Sequence, residues 1–250
     1  MPDAAVLSRP SNRDEAWRYA DTEYIASANA KELTGWHDVA VAAGEVREDS
    51  RIVAAGVERL RIHLGAGARY AMFALNAAGP YARLELEVTL DDGAHFEFGG
   101  VTVGGGDAVQ EFVTRTIHAQ PNATSNQTVR AVQWGRSSGN FLGRIDVVKD
   151  AQKTDAAQNF RALLLEKGAS ANTKPELEIF ADDVQCAHGA AIGQMDEMAR
   201  YYMAARGIAP DVARRLLVQA FIGDAFVEMD NHEEAERMIA LALDEMEGNL

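Results

Sequence analysis

A single cysteine in 250 residues, Cys186, excludes any internal disulfide framework and leads us to expect a reducing compartment. Basic side chains are also scarce: 24 Lys and Arg stand against 38 Asp and Glu, for a formal net charge of −14. Nucleic acid and anionic membrane surfaces both demand basic patches, so neither is an expected partner. No run approaches the roughly 20 apolar residues of a membrane helix. The opening "MPDAAVLSRPSNRDEAW" has no apolar core of the signal-peptide kind, and a cytoplasmic protein is expected. Several enzyme signatures are missing. There is no G-x-x-x-x-G-K-[ST] phosphate loop and no G-x-S-x-G nucleophile elbow. "HEEAE" at His232 lacks the second histidine of a zinc-protease helix, and Gly104 to Gly106 lacks the helix that a dinucleotide site requires.

The chain is otherwise ordinary in composition, with 47% apolar and 25% charged residues, enough for one large domain or two small ones. "NRDEAWRYADTEYIASA" reads as one or two short helices, with Trp17 and Tyr19 offering apolar surface. The middle changes period. Leu60, Ile62 and Leu64 alternate with Arg59, Arg61 and His63, and Leu84, Leu86, Val88 and Leu90 alternate with Glu85, Glu87 and Thr89. A period of two is that of half-buried strands. Turn signals fall at Asp91–Gly93, Gly99-Gly100, Gly104–Gly106, Pro121-Asn122 and Ser137–Asn140. Further strands are expected near Thr114, Arg130, Asp146, Leu163 and Ile179. Regular short strands without intervening helices fit a β-sandwich or a β-solenoid, and spacing does not separate the two.

Beyond Gly193 the period becomes helical. Met195, Met198, Ala199, Tyr202 and Met203 form one stripe, with Gly207 just past the helix end. Pro210 opens a second helix with the stripe Ala213, Leu216, Leu217, Ala220 and Phe221. Asn231 and Glu234 have capping-box spacing ahead of a third, with the stripe Ala235, Met238, Ile239, Ala242, Leu243 and Met246. The expected division is a helical segment over 1–40, a β core over 41–192 and a helical subdomain over 193–250.

Two sets of residues carry candidate chemistry. Glu85/Glu87 and Asp182-Asp183 are the carboxylate pairs that a polysaccharide-cleaving solenoid would need, but the glutamates read as a solvated outer face. Aromatics, at 7% of the chain, leave little to stack on sugars. Cys186 and His188 are the second set. On a strand, residues i and i+2 face one way, with Cα atoms roughly 6.5–7 Å apart. A thiolate and an imidazole so placed suit a metal or cluster, although a lone Cys is also a common small core residue. Iron–sulfur clusters take about four ligands, chiefly thiolates. With one thiol in the chain, such a site requires ligands from a second chain.

At these residues the sequence resembles the SufD family of iron–sulfur cluster assembly subunits. The resemblance runs through "AQKTDAAQNFRALLLEKGASANTKPELEIFADDVQCAHGAAIGQMDEMARYYMAARGIAPDVARRLLVQAF", Ala151 to Phe221, and is supported by "EAWRY" at Glu15, "PNATSNQ" at Pro121 and "GNFLGRIDV" at Gly139. The related SufB proteins carry a different glutamate- and threonine-rich motif in place of "ADDVQCAHGA". The resemblance implies a right-handed parallel β-helix with a C-terminal α-helical subdomain. It implies a non-enzymatic scaffold that pairs with a SufB-like subunit through the β-helix and docks a SufC-like ATPase through the C-terminal helices, a homodimer being the further possibility. It places the histidine of the C-x-H-G motif, His188, near that interface with Cys186 as companion, in contact with a transient Fe–S cluster shared with SufB. Arg214, Arg215 and Phe221 are the expected docking contacts, and Asp182-Asp183 are expected to shape the turn into the strand. The stretch between "EAWRY" and the first strands is shorter than in most of the family. Flavin, bound in the wider system, is therefore not supported by this chain alone. The alternatives are a purely structural docking subunit and, more remotely, a β-helix lyase or hydrolase.

Overall fold

Alternating apolar residues fold into twelve strands, described in a computed structural model covering residues 9–77 and 79–248. In chain order they are β1 (His37–Val41), β2 (Val46–Val53), β3 (Gly56–Leu64), β4 (Arg69–Ala77), β5 (Tyr81–Leu90) and β6 (His95–Gly104). They continue as β7 (Val109–His118), β8 (Thr124–Gln133), β9 (Ser138–Val147), β10 (Asp155–Leu164), β11 (Ser170–Ile179) and β12 (Gln185–Gly193). Odd strands form one parallel sheet in the order β1-β3-β5-β7-β9-β11, and even strands form the other. The chain thus winds as a parallel β-solenoid, which resolves the choice that strand spacing left open. Each odd strand lies in register on the next, as in Leu60 on Leu86, Ile62 on Val88 and Leu64 on Leu90.

The interior changes character along the axis. The early turns are filled by aliphatic side chains with Tyr70, Phe96, Phe98 and Phe112, all buried. Above Leu86, Val88 and Leu90 come Thr114, Thr116 and His118. These buried polar groups bond one another across the lumen: Thr114 Oγ1 donates to Gln127 Oε1 at 2.6 Å, Gln127 Nε2 donates to Thr116 Oγ1 at 3.2 Å, and His118 Nε2 meets Ser125 Oγ at 3.0 Å. Burial pushes the His118 imidazole down to about 4, so it is neutral near pH 7.

One corner repeats in every turn. Gly44, Gly67, Gly93, Asn122 and Lys153 all have positive φ. The N–H of each of the first four donates to a carbonyl of the next turn, on Ala66, Asp92, Pro121 and Gln152 in order, and Lys153 N–H donates to Asp183 O. Left-handed backbone is where glycine and asparagine are favoured. The lysine at the fifth corner hides the repeat from a glycine-based reading.

Outward-facing residues of the odd sheet make a ladder of alternating charge: Asp38, Arg61, Glu87, Arg115, Asp146, Arg144 and Glu178 are linked in turn, with Arg61–Glu87 at 2.9 Å and Arg115–Asp146 at 2.7 Å. Such pairs specify register across neighbouring strands. Glu85 departs from the expectation of a solvated face. It is buried, and Arg59 and Arg83 hold its carboxyl below the usual range against the cost of burial. Arg83 is fully buried between Glu85 and Glu111 and stacks on Trp17, 4.0 Å from the ring centre. Trp17 is anchored there with Ala20, Ile25, Leu33 and Tyr81 by the 3₁₀ turn Glu15–Trp17 and helices α1 (Thr22–Ser27) and α2 (Ala30–Thr34).

The even sheet carries the C-terminal helices α3 (Glu197–Ala204), α4 (Pro210–Gly223) and α5 (His232–Glu247). Its outward Phe73, Leu75, Val101, Val103, Val132 and Leu163 pack against Val218, Ile222, Phe226 and the predicted stripe of α5. Gly99-Gly100, expected as a turn, lies inside β6. A Cβ on Gly99 would sit 1.9 Å from the Ala225 carbonyl oxygen, and one on Gly100 would sit 2.9 Å from the Phe112 ring, so both glycines serve close approach. Ser137–Asn140 also departs: the turn comes earlier, at Gly135-Arg136, and Ser138 already opens β9. On α4 the buried face is Ala213, Val218 and Ile222, whereas Leu216 and Ala220 are exposed. The capping box of α5 is half formed. Asn231 Oδ1 accepts the Glu234 N–H, but the Asn231 N–H donates to Glu48 on β2 rather than to Glu234.

Candidate functional site at the open end of the solenoid

The last turn, β11 and β12, has neighbours on one side only: β9 for β11 and β10 for β12. Both strands offer an unpaired backbone edge at the same end of the solenoid, the geometry that templates strand addition. β11 is half-buried along most of its length and β12 is largely exposed. Phe180 and Ile192 stand 64% and 47% exposed there, apolar surface beside unpaired edges.

Register places the sequence-predicted donors at this end. Cys186 lies beside Ala156 and His188 beside Gln158, both buried residues of the inward file of β10. The two share a parity, as expected, and belong to the file that continues the solenoid lumen. They differ in setting. Cys186 is half-buried against Ile145, Val147, Ala151 and Ala156, with Leu177 and Val184 alongside. Burial pushes its thiol up and the nearby Asp155 adds to the effect, so at rest it is a protonated, partly core residue. His188 is exposed. Among the described residues no three His, Cys, Asp or Glu side chains converge as a metal site.

Asp183 shapes the bend before β12 by a different route from the local bond expected of the two aspartates. Asp183 joins the previous turn: its carboxylate pairs with Lys153, its N–H donates to Gln152 Oε1 at 2.8 Å and its carbonyl accepts the Lys153 N–H at 2.6 Å. The carboxylate candidates for glycoside chemistry are thus dispersed, Glu85 buried under arginine and Asp183 in a corner.

The helical subdomain presents a second surface. Met195, first in the predicted stripe, packs against the helix–sheet core, but no side chain of α3 itself is buried, and Met198, Tyr201 and Tyr202 are among the most exposed apolar side chains. Arg206 lies over the Tyr202 ring at 3.4 Å. Arg214 is exposed and lines a cleft of about 380 Å³ with Leu165, Lys167, Met195 and Arg200. Arg215 is engaged with Glu247 at 2.5 Å, and Phe221 is half-buried against the helix–sheet core. Sequence reasoning named neither the exposed α3 aromatics as surface nor Lys167 in the cleft with Arg214. Periodicity gives a stripe without saying whether anything covers it.

Fold and end face together define a parallel β-solenoid whose last turn carries two unpaired strand edges, the exposed His188 and the half-buried Cys186. Comparison with known proteins gives the family. The description "SUF system FeS cluster assembly, SufBD core domain" matches residues 20–221, and the chain belongs to that family. A SufBD-family iron–sulfur cluster assembly protein of Synechocystis is 34% identical over 161 residues, 64% of this chain and 36% of that protein. The SufD proteins of Escherichia coli and Bacillus subtilis are 36% identical over 107 residues and 30% identical over 138, covering 43% and 55% of this chain. The aligned stretches are 25% and 32% of those two relatives' lengths. No helix among the described residues is long and apolar enough to cross a membrane.

Proposed function

We propose that this chain is a cytoplasmic, non-catalytic scaffold subunit for assembling iron–sulfur clusters, which are its cargo. It pairs with a SufB-like subunit through the open end of the solenoid. The observation that carries the reading is the coincidence of two features in one turn: unpaired edges on β11 and β12, and the donor pair Cys186 and His188 on the inward file that ends there. Membership of the SufBD core family supports the cargo. A chain with one thiol supplies too few soft ligands to hold a cluster alone, so the partner completes the set.

His188 is the donor, its imidazole exposed at the end of the solenoid. Cys186 joins it as thiolate only when a cation or the partner's charge offsets its burial. A SufC-like ATPase docks on the C-terminal helices, where the exposed Met198, Tyr201 and Tyr202 lie close in sequence to the expected contacts Arg214, Arg215 and Phe221. ATP-driven movement of the helices relative to the sheet would open the paired ends to iron and sulfide.

Charge at the exposed positions of the last turn tests the pairing. Phe180→Lys and Ile192→Lys alter exposed side chains of the last turn and are expected to leave the isolated fold intact. Together they are expected to abolish co-purification with the SufB-like subunit. Undiminished co-purification contradicts pairing through this end.

A further inference from the structure

One cleft brings together basic side chains from two parts of the chain. The turn after β10 supplies Leu165, Glu166 and Lys167, and the helices supply Arg200 from α3 and Arg214 from α4, around about 380 Å³ of open space. Its two carboxylates are already engaged: Glu197 pairs with Arg200 at 2.8 Å, and Glu166 Oε2 accepts the Gly135 N–H at 2.8 Å. Lys167 and Arg214 are exposed, and neither forms an ion pair among the described residues, whereas Arg215 beside it is held by Glu247. A solvated lysine is ordinary on its own. Two unpaired cations in one cleft are a local reversal of sign in a chain of net charge −14.

Apolar space adjoins the cationic space. Glu197 and Arg200 also border a second cleft of about 240 Å³, lined by Tyr201, Ala204, Ile208, Pro210 and Ala213. α3 thus borders both, with Met198 and Tyr201 exposed on its surface. Such a surface suits a partner element that carries acidic side chains beside an apolar one. Opposite charge across a contact of this kind sets orientation and association rate more than affinity. We infer that Lys167 and Arg214 receive carboxylates of the SufC-like ATPase. The inference rests on the reading that the ATPase docks on the C-terminal helices. It adds that the docking surface includes the solenoid, since Lys167 belongs to the turn that leads from β10 into β11. A partner held by both cations bridges α4 and that turn, which gives its movement a grip on the end that carries His188.

The test measures association of the full chain with the SufC-like ATPase at low and high salt. Lys167→Glu with Arg214→Glu is expected to slow association about tenfold at low ionic strength. The difference from wild type is expected to shrink at about 1 M salt, where charges are screened beyond roughly 3 Å. A carbodiimide, which joins an amine to a carboxylate without a spacer, is expected to couple Lys167 to an Asp or Glu of the ATPase. Lys167→Arg keeps the charge and is expected to bind as wild type does but to lose that cross-link. Unchanged association in the double reversal overturns the inference, as does a cross-link map of Lys167→Arg identical to that of wild type. Failure of the docking reading is distinct: it shows as undiminished binding when Met198→Asp and Tyr201→Asp are combined. Loss of binding in that pair, with full binding in the charge variants, overturns the inference and leaves the docking reading standing.

Discussion

Gly99 lies directly beneath the backbone of Ala225, so close that a methyl group on it would stand 1.9 Å from the Ala225 carbonyl oxygen and 2.6 Å from the Phe73 ring. The contact is where the helical subdomain settles onto the even sheet. Backbone cannot give way as a flexible side chain can. Gly99→Ala is therefore expected to lift the 3₁₀ turn Asp224–Phe226 and cost about 3 kcal/mol, read as a fall in thermal midpoint and faster proteolysis between the solenoid and α5. An unchanged midpoint contradicts the seating described.

Gly93→Ala makes a contrast. Nothing lies within 4 Å of its would-be Cβ, yet its φ is 65°. The expected cost is torsional, about 1 kcal/mol. Lys153, the corner residue two turns on at φ 63°, is expected to show the reverse: Lys153→Gly relieves strain there but forfeits the exposed pair with Asp183. Chemical denaturation of both variants would show a loss in the first and little or no loss in the second.

Glu48 on β2 caps α5 from 182 residues away: its carboxylate accepts the N–H groups of Asp230 at 2.7 Å and Asn231 at 3.1 Å. It replaces the second limb of the capping box. Glu48→Ala is expected to cost about 1 kcal/mol and to speed hydrogen exchange at the start of α5. Glu48→Gln, which retains an acceptor, is expected to lose less.

Glu97 makes the seating of the helices sensitive to pH. It is buried, Asn126 donates to Oε1 at 2.8 Å, and His95 on its own strand and Glu228 from the connection to α5 face it. Burial pushes its carboxyl up to about 7, with Glu228 adding to the rise. A folded-state pKa above the unfolded one means that the folded chain holds the proton more tightly. Its stabilising contribution is full below about 4.5 and is lost as pH rises through about 7. His118, pushed down to about 4, acts in the opposite sense below pH 6.5. The difference between wild type and Glu97→Gln isolates the first: the variant is expected to gain on wild type by about 1–3 kcal/mol between pH 5 and 8. A parallel pair of stability curves contradicts this.

Much of this architecture was legible in the sequence. Leu60, Ile62 and Leu64 announced their strand because one face is core and the other bears Arg59, Arg61 and His63, and α5 announced its stripe for the same reason. Closure into a solenoid was not legible from spacing, because the corner residue changes from glycine to Asn122 and Lys153 as the chain proceeds. Gly99-Gly100 misled because glycine marks close approach as well as turns. At the site, parity put Cys186 and His188 on one face, and the structure adds that this face closes the lumen of the last turn. Lys167 was invisible as a participant. A lysine in a turn gains meaning only when Arg214 is known to line the same cleft.

The central claim is that His188, at the open end of the solenoid, takes part in building the cluster. Its most direct test is iron and acid-labile sulfide in the complex co-purified anaerobically with SufB-like and SufC-like subunits, comparing wild type with His188→Ala at equal subunit ratios. The account predicts a large loss of both in the variant with the complex intact. Equal iron and sulfide would contradict it and leave this chain a docking subunit, its Cys-Ala-His run no more than the last turn of a core.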